Sequence, residues 1–576
     1  MLVRCIELDD DERLTVTVGL SLIIVYLLAF AGYLVDAPAS VALAIMAASA
    51  ACCWAHRCSL QAMLTSQIGR AQAIGLGLVV GHGLLLDAAI RNYNGLLWAG
   101  DWYEHYERAM FFILRPDAHQ ARFLPYLAKP YLLPARPPMM NILAAEYLSV
   151  GSPAFSSFQA VSTVLNSWAC VPAVALAGRL ARALTLRSVN ATYAAAAGLV
   201  VLPACAQNIT FPWTKMLSAF FVLAAILMLF RQEATLSRVR LLLSGIFLGA
   251  AISVHYSAAV FALPIGVAFT LRGSRWGRGA FAASTLMVPA ALVLIPWLAY
   301  SLAVFGAGQT FGSNTTVTDA ANLGPIENGL KILLNIRDTA VPHFLRDSPP
   351  LMRDLMQQGN YSARIRDWWF APLQVNFPMA IGTITQLILL GSAMTYRRWP
   401  VAVRQLTGPW ISVLSAAGMI GIAVHGARDT LGLAHICLQP LILAAAAAAT
   451  VALPRLPAWI RIAAVVGLAW DYVLGVILHF HLESLPIKVL PIVSANGASD
   501  FGNTFRIGGA ATMNAYLKES AHLTFIGDMV VEPQWFLAAA AGIGVSSLVI
   551  VTRWALQSSQ AMGEAPTTKS PTTDIA

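Results

Sequence analysis

Long apolar runs separated by short polar stretches dominate the chain from end to end. They cover about residues 14–36, 38–56, 71–90, 158–182, 190–206, 214–231, 240–256, 257–271, 279–304, 378–396, 408–425, 430–452, 457–480 and 534–554. A helix that crosses a hydrocarbon core needs roughly 20 mostly apolar residues. The pattern therefore predicts an all-α polytopic membrane protein with about 12–14 transmembrane helices. The runs at 240–256 and 257–271 leave almost no turn between them. The first run follows an acidic head, "ELDDDERL". A secretory signal has a basic start and a small-residue cleavage site; neither is present, so this run is expected to be a retained anchor.

The polar stretches between runs set the orientation. Arginines gather at Arg57 and Arg70, at Arg179, Arg182 and Arg187, at Arg231, Arg238 and Arg240, and at Arg272, Arg275 and Arg278. Further groups are Arg397, Arg398 and Arg404, and Arg455 and Arg461. Basic loops stay in the cytoplasm, and all these clusters fall on one side if the N-terminus is cytoplasmic. The opposite face then carries the long loops 91–157, 305–377 and 481–533 and most carboxylates. Long loops are where function concentrates, and patches such as "DWWFAPL" and "LPYLAKPYLL" predict interfacial helices there. The expected division is an N-terminal hairpin over 1–70, a core over 71–452, a C-terminal pair over 453–554 and a polar tail over 555–576.

Composition agrees with this class: the chain of 576 residues is 58% hydrophobic and 11% charged, too apolar for a soluble domain. A net charge of +9 could suggest a nucleic-acid partner. Its confinement to short loops makes it a topology signal instead, and no nucleic-acid partner is expected. The seven cysteines show neither metal-ligand spacing nor a disulfide framework and read as apolar packing residues. No glycine-rich phosphate loop is present, and no internal repeat suggests an inverted-repeat transporter.

Against this background "GDWYEHYERAMFF", residues 100–112, is unusually charged. As a helix it places Asp101, Glu104, His105 and Arg108 at i, i+3, i+4 and i+7, on one face. Two readings compete. "DWYE" is a capping box and Glu104–Arg108 a surface ion pair; or the face lines an outer cavity. Four further groups map to the same membrane side. Arg136 precedes Pro137–Pro138, which blocks helix behind and starts helix ahead. Lys215 stands at the outer entry of an apolar run, and His255 and Tyr256 at the outer end of another. Arg428 sits in a short outer turn. Snorkelling and packing are the alternative roles for these groups. Together, cations at one end of a bundle suit a phosphate, gripped by an arginine fork or a lysine point charge. A carboxylate beside it could act as general base.

The order of these pieces resembles the GT-C glycosyltransferase superfamily, in its bacterial branch related to protein O-mannosyltransferases and the lipid A aminoarabinose transferase. The likeness runs over about residues 71–452, through "GDWYEHYERA", "ARPPMMNIL", "ALAGRLARAL", "TKMLSAFFVLAAILMLFR", "SGIFLGAAISVHYSAAVFALP" and "HGARDTLGLAHICLQPLILAAAA". It implies transfer of a sugar from a polyprenyl-phosphate carrier to a hydroxyl of a lipid, glycan or protein. The implied setting is the outer face of a bacterial plasma (inner) membrane. It casts Asp101 as the base, with Glu104 as a second catalytic carboxylate displaced by three positions from the family's. Arg136 and Arg428 are the implied holders of the donor phosphate, and Lys215 and His255, on the same membrane side by their place in the runs, are expected to join them. His105 and Tyr256 are candidates for contact with the acceptor or with a divalent metal. Ala135 stands where the aminoarabinose transferase has a glutamate. Single displacement with inversion needs one base and no enzyme nucleophile.

Three other functions fit parts of the pattern. A transporter or flippase predicts charges deep in mid-span and broken helices. A ligase-like or polymerase-like enzyme using a diphosphate-linked glycan predicts a basic outer loop, and 305–377 carries Arg337, His343, Arg346, Arg353, Arg364 and Arg366. A non-catalytic assembly subunit predicts that Asp101→Asn leaves function intact.

Overall fold

The computed structural model describes residues 8–91, 93, 101–114, 133–231, 237–272, 276–312, 324–342, 376–424, 435–484 and 523–557. Over these residues every apolar run is helical, and no strand occurs among them. The helices are α1 (Asp10–Leu34), α2 (Pro38–Ala55), α3 (Arg57–Thr65), α4 (Gln67–Asp87), α5 (Asp101–Leu114), α6 (Met139–Val150), α7 (Phe155–Ser167) and α8 (Cys170–Ala183). Next come α9 (Ser188–Val201), α10 (Pro203–Thr210), α11 (Lys215–Leu229), α12 (Arg238–Val254), α13 (Ala259–Arg272) and α14 (Trp276–Gly312). The chain continues through α15 (Pro325–Ala340), α16 (Phe377–Ile381), α17 (Thr383–Thr395), α18 (Val401–Val424) and α19 (His435–Ala452), then α20 (Ala458–Tyr472), α21 (His479–Ser484) and α22 (Pro533–Leu556).

Among the described residues nine helical segments are long and apolar enough to cross a membrane, one of them formed by α7 and α8 together. A tenth arises if α9 and α10, bent by 71° at Leu202–Pro203, count as one span. The other runs form helices shorter than a straight crossing requires. α11 is the clearest case: 15 residues, about 22 Å at 1.5 Å per residue, every one of them buried. It is apolar on all sides because it is surrounded on all sides, by α1, α7, α8, α12 and α19.

Close helix contacts are made by glycines. On α12, a Cβ at Gly245 would stand 2.1 Å from the Leu286 carbonyl oxygen, and one at Gly249 2.4 Å from that of Ala290 on α14. Gly249→Val should cost about 1–3 kcal/mol by overpacking, read as a lower melting temperature in detergent. Unchanged melting would mean that α12 and α14 can separate freely.

The acidic head and the basic loops meet. Asp11 and Glu12, 1% and 0% exposed, pair with Arg179 of α8 at 2.9 and 2.6 Å. Arg182 joins Asp11, while Arg231 and Arg240 reach Glu12 at 3.2 Å each. Arg179 also donates to the carbonyl oxygens of Leu227 and Phe230, which close α11. Arginines read from the sequence as topology marks thus also clamp α1 to α8, α11 and α12. At its other end α1 presents Tyr26, Phe30 and Tyr33. Tyr33 shares a 2.8 Å hydrogen bond with Tyr300 of α14 and packs on Phe111 and Phe112 of α5. The cysteine reading needs one correction. Cys170 and Cys205 are buried, but Cys52, Cys53 and Cys58 are exposed, because α2 turns almost all of its surface outward and α3 all of it.

Candidate active site

α5 is built as its spacing predicts, but it is not a surface helix. Trp102, Tyr106, Phe111 and Phe112 are buried against the bundle. The Tyr106 hydroxyl donates to the Pro153 carbonyl oxygen at 2.7 Å, and Asn141 of α6 donates to the His105 carbonyl oxygen at 3.2 Å. The opposite face is buried too. Glu104 and Arg108 form an ion pair at 3.2 Å with side chains 4% and 2% exposed. A pair so enclosed is not a solvated i, i+4 contact. It also engages Glu104, which was expected to be a second catalytic carboxylate, with a guanidinium. Asp101 is the first residue of α5; its side chain lies outside the described set.

The Pro137–Pro138 corner behaves as the sequence requires. A 3-10 turn over Leu133–Ala135 ends at Arg136, Pro138 caps α6, and helix resumes at Met139. The corner is fastened to α14 by the Ser301 hydroxyl, which donates to the Pro134 carbonyl oxygen at 3.4 Å. Arg136 is half-buried on this rigid support.

His105 is where these elements converge. Burial, and then the nearby Arg108, Arg136 and His255, push its imidazole well below the usual histidine range, so the ring is neutral at pH 7. The same three neighbours show that α5, the proline corner and the end of α12 share one locale. Its Nδ1 is buried and has no hydrogen-bond partner among the described residues.

His255 explains how two short spans follow each other without a loop. α12 ends at Val254, His255 is extended (φ −153°, ψ 125°), and a single 3-10 turn over Tyr256–Ala258 leads into α13. The His255 Nδ1 lies 2.7 Å from the Ser257 hydroxyl and caps that turn by accepting from its amide. The Tyr256 ring stacks on the imidazole at 4.6 Å, and its hydroxyl is buried without a hydrogen-bond partner among the described residues. This turn packs on α11, whose first residue is Lys215. Lys215 is 6% exposed, with its Nζ 3.5 Å from the Trp213 ring centroid. Rings at contact distance connect that point to α5, from Trp213 through Phe211 and Tyr93 to Trp102.

The structure thus gathers His105, Arg136 and His255, with Tyr256 stacked on His255 and Lys215 on the adjoining helix. Arg428 lies outside the described residues, as do His343, Arg346, Arg353, Arg364 and Arg366. Arg337 is paired with Asp338 at 2.7 Å. Two contributors were not read as site residues from the sequence: Arg108, whose burial no local pattern reveals, and Asn141, which looks like any polar residue in an apolar helix. A divalent metal does not fit this donor set. No three His, Cys, Asp or Glu side chains among the described residues converge to hold one. Ala135 offers no ligand atom, and the cations around His105 and His255 would repel a dication.

No protein-family model and no curated protein matches the chain. Among solved structures it is similar to ArnT from Cupriavidus metallidurans, crystallised with undecaprenyl phosphate and in the apo state. Identities are 16% and 15% and TM-scores 0.40 and 0.41, over 85% of this chain and 76% of that one. It is also similar to the oligosaccharyltransferase of Archaeoglobus fulgidus in the apo form, at 14% identity and a TM-score of 0.38, over 71% of this chain and 56% of that one. At these values the similarity extends to no individual residue of the site.

Proposed function

We propose that the protein is a membrane glycosyltransferase of the GT-C type. It takes a sugar from a polyprenyl-phosphate carrier and passes it to a hydroxyl of a lipid, glycan or protein on the outer membrane face. The observation that supports this reading is the grouping of Arg136 and His255 around a neutral His105, with Lys215 on the adjoining helix. Fixed cations in a water-poor cavity stabilise charge far better than they would in water.

The chemistry follows from the groups present. As the bond from sugar to phosphate breaks, the carrier phosphate gains a negative charge, and Arg136 and Lys215 stand to receive it without proton transfer. The acceptor hydroxyl attacks from the opposite side of the sugar and gives its proton to Asp101. Glu104 then acts through Arg108, fixing its guanidinium. Inversion at the sugar is the expected stereochemistry, since no enzyme nucleophile intervenes. The bend at Leu202–Pro203 is what a transporter would show, but the two residues at the break are apolar.

The test uses purified protein, radiolabelled polyprenyl-phosphate sugars and a membrane lipid extract. The wild type should transfer label, and Asp101→Asn should lose about 10²–10⁴-fold in rate. Full transfer by Asp101→Asn would sink the base assignment. No transfer by the wild type from any lipid-linked sugar would sink the enzyme reading for those sugars.

A further inference from the structure

Phe525–Asp528 lies outside residues 71–452, the span that resembles the transferase superfamily, yet it packs on the first turn of α5. The segment opens a 3-10 turn over Ile526–Met529 that closes on itself. The Phe525 amide donates to the Asp528 carboxylate at 3.1 Å, and the Asp528 amide donates to the Phe525 carbonyl oxygen at 3.1 Å. Three bonds pin this turn to the bundle. The Gly527 amide donates to the Ile90 carbonyl oxygen, just beyond α4, at 3.2 Å. Arg91 Nε donates to the Gly527 carbonyl oxygen at 3.4 Å, and the Ile526 amide donates to Gln159 Oε1 of α7 at 3.0 Å. Glycine is required at this approach, since a Cβ at Gly527 would stand 2.3 Å from the Ile90 carbonyl oxygen. Gln159 carries the connection onward. It donates to the Tyr93 hydroxyl at 2.9 Å, and that hydroxyl donates to the Thr210 carbonyl oxygen at 2.7 Å. The turn so held presents one buried ring. The Phe525 centroid is 5.5 Å from that of Trp102, 4.9 Å from Phe155 and 5.6 Å from Tyr93. Trp102 also meets Phe155 at 5.1 Å and Tyr93 at 5.7 Å.

We infer that this turn is a positioning element of the transfer site: Phe525, acting through Trp102, fixes the first turn of α5, where Asp101 stands. The inference rests on the reading of Asp101 as the base. Helix ends fray unless they are packed. Asp101 is the first residue of α5 and Trp102 the next, so seating the indole sets the backbone that carries Asp101. The body of α5 is held by other means. Asn141 donates to the His105 carbonyl oxygen, and the Tyr106 hydroxyl donates to the Pro153 carbonyl oxygen. What Phe525 adds therefore falls at the start of the helix. A general base must stand within hydrogen-bond reach of the proton it takes, so a small displacement there costs rate. Arg136 and Lys215 stand on the proline corner and on α11, so donor binding is set by other elements.

Transfer from a radiolabelled polyprenyl-phosphate sugar to membrane lipid extract is measured with the full-length protein in detergent. Phe525→Ala should lower kcat by about 10–10²-fold, the scale of a misplaced catalytic group, with the donor KM unchanged. Phe525→Leu keeps bulk at the position and should fall between Phe525→Ala and wild type. In an Asp101→Asn background Phe525→Ala should cost little more, because the group it positions is already gone. A second arm needs no activity. The protein is labelled with fluorotryptophan, and the Trp102 signal in its fluorine NMR spectrum is identified by its loss in Trp102→Phe. That signal should shift in Phe525→Ala. The inference is overturned by a wild-type kcat in Phe525→Ala, by an equal loss in the Asp101→Asn background, or by an unmoved Trp102 signal. Absence of transfer by the wild type would instead count against the function, and the fluorine arm then decides by itself whether the turn holds α5. Should Phe525→Ala not fold, Phe525→Leu is carried through both arms under the same criteria.

Discussion

Arg136→Ala should lower sugar transfer by about 10²–10³-fold, the range for removal of one preorganised charge-stabilising donor, while the protein still folds. The two effects separate because of how Arg136 is held. The backbone of its corner is set by Pro137–Pro138 and by the bond from the Arg136 amide to the Leu133 carbonyl oxygen at 3.2 Å, and neither needs the side chain. The guanidinium is half-buried beside His105. Arg136→Lys keeps the charge but loses the planar fork, and its rate should fall between wild type and Arg136→Ala. Initial rates from a lipid-linked donor, with melting temperature measured on the same samples, test this. Wild-type rates in Arg136→Ala would remove Arg136 from the phosphate site. A collapse in melting temperature would make its role structural.

The largest stability effect is expected at the other end of the bundle. Arg179→Met should destabilise the protein by about 3–5 kcal/mol, the cost of breaking a buried ion pair by removing one partner. Asp11 and Glu12 are 1% and 0% exposed, and Arg179 bonds both at once. Arg182 would remain on Asp11 and Arg231 and Arg240 on Glu12, but none of the three bridges Asp11 and Glu12 as Arg179 does. The carbonyl oxygens closing α11 would also lose their donor. Adding Asp11→Asn and Glu12→Gln to Arg179→Met should recover part of the loss, because the stranded charges go with the arginine. Melting in detergent reads both variants. A wild-type melting temperature for Arg179→Met would show that the clamp contributes nothing to stability.

Much of the architecture was legible along the chain. Apolar runs located the helices, since burying a peptide backbone in hydrocarbon leaves helix as the only open solution. Pro137–Pro138 located the start of α6, because proline fixes φ and removes a donor. The i, i+3, i+4, i+7 spacing put Glu104, His105 and Arg108 on one face of α5, since 3.6 residues make a turn. Run length was a poorer guide to the number of crossings. It counts apolar residues but does not register the 71° bend at Leu202–Pro203 or the complete burial of α11.

What a face meets is a different kind of information. The same spacing that groups Glu104 with Arg108 is compatible with a solvated surface pair worth a few tenths of a kcal/mol and with the enclosed pair that the fold makes. Only the packing of α5 against α6, α7 and α1 chose between them. Likewise "ELDDDERL" and the arginines from 179 to 240 are separated by more than 160 positions, and nothing local predicts that they pair. The sequence by itself determined the class of protein, the helices and the chemical types available at the outer face. The tertiary structure alone decided which charges are buried, which are paired and which side chains converge on His105. Helical periodicity is a local property of the backbone, whereas burial and pairing depend on residues far away in the chain.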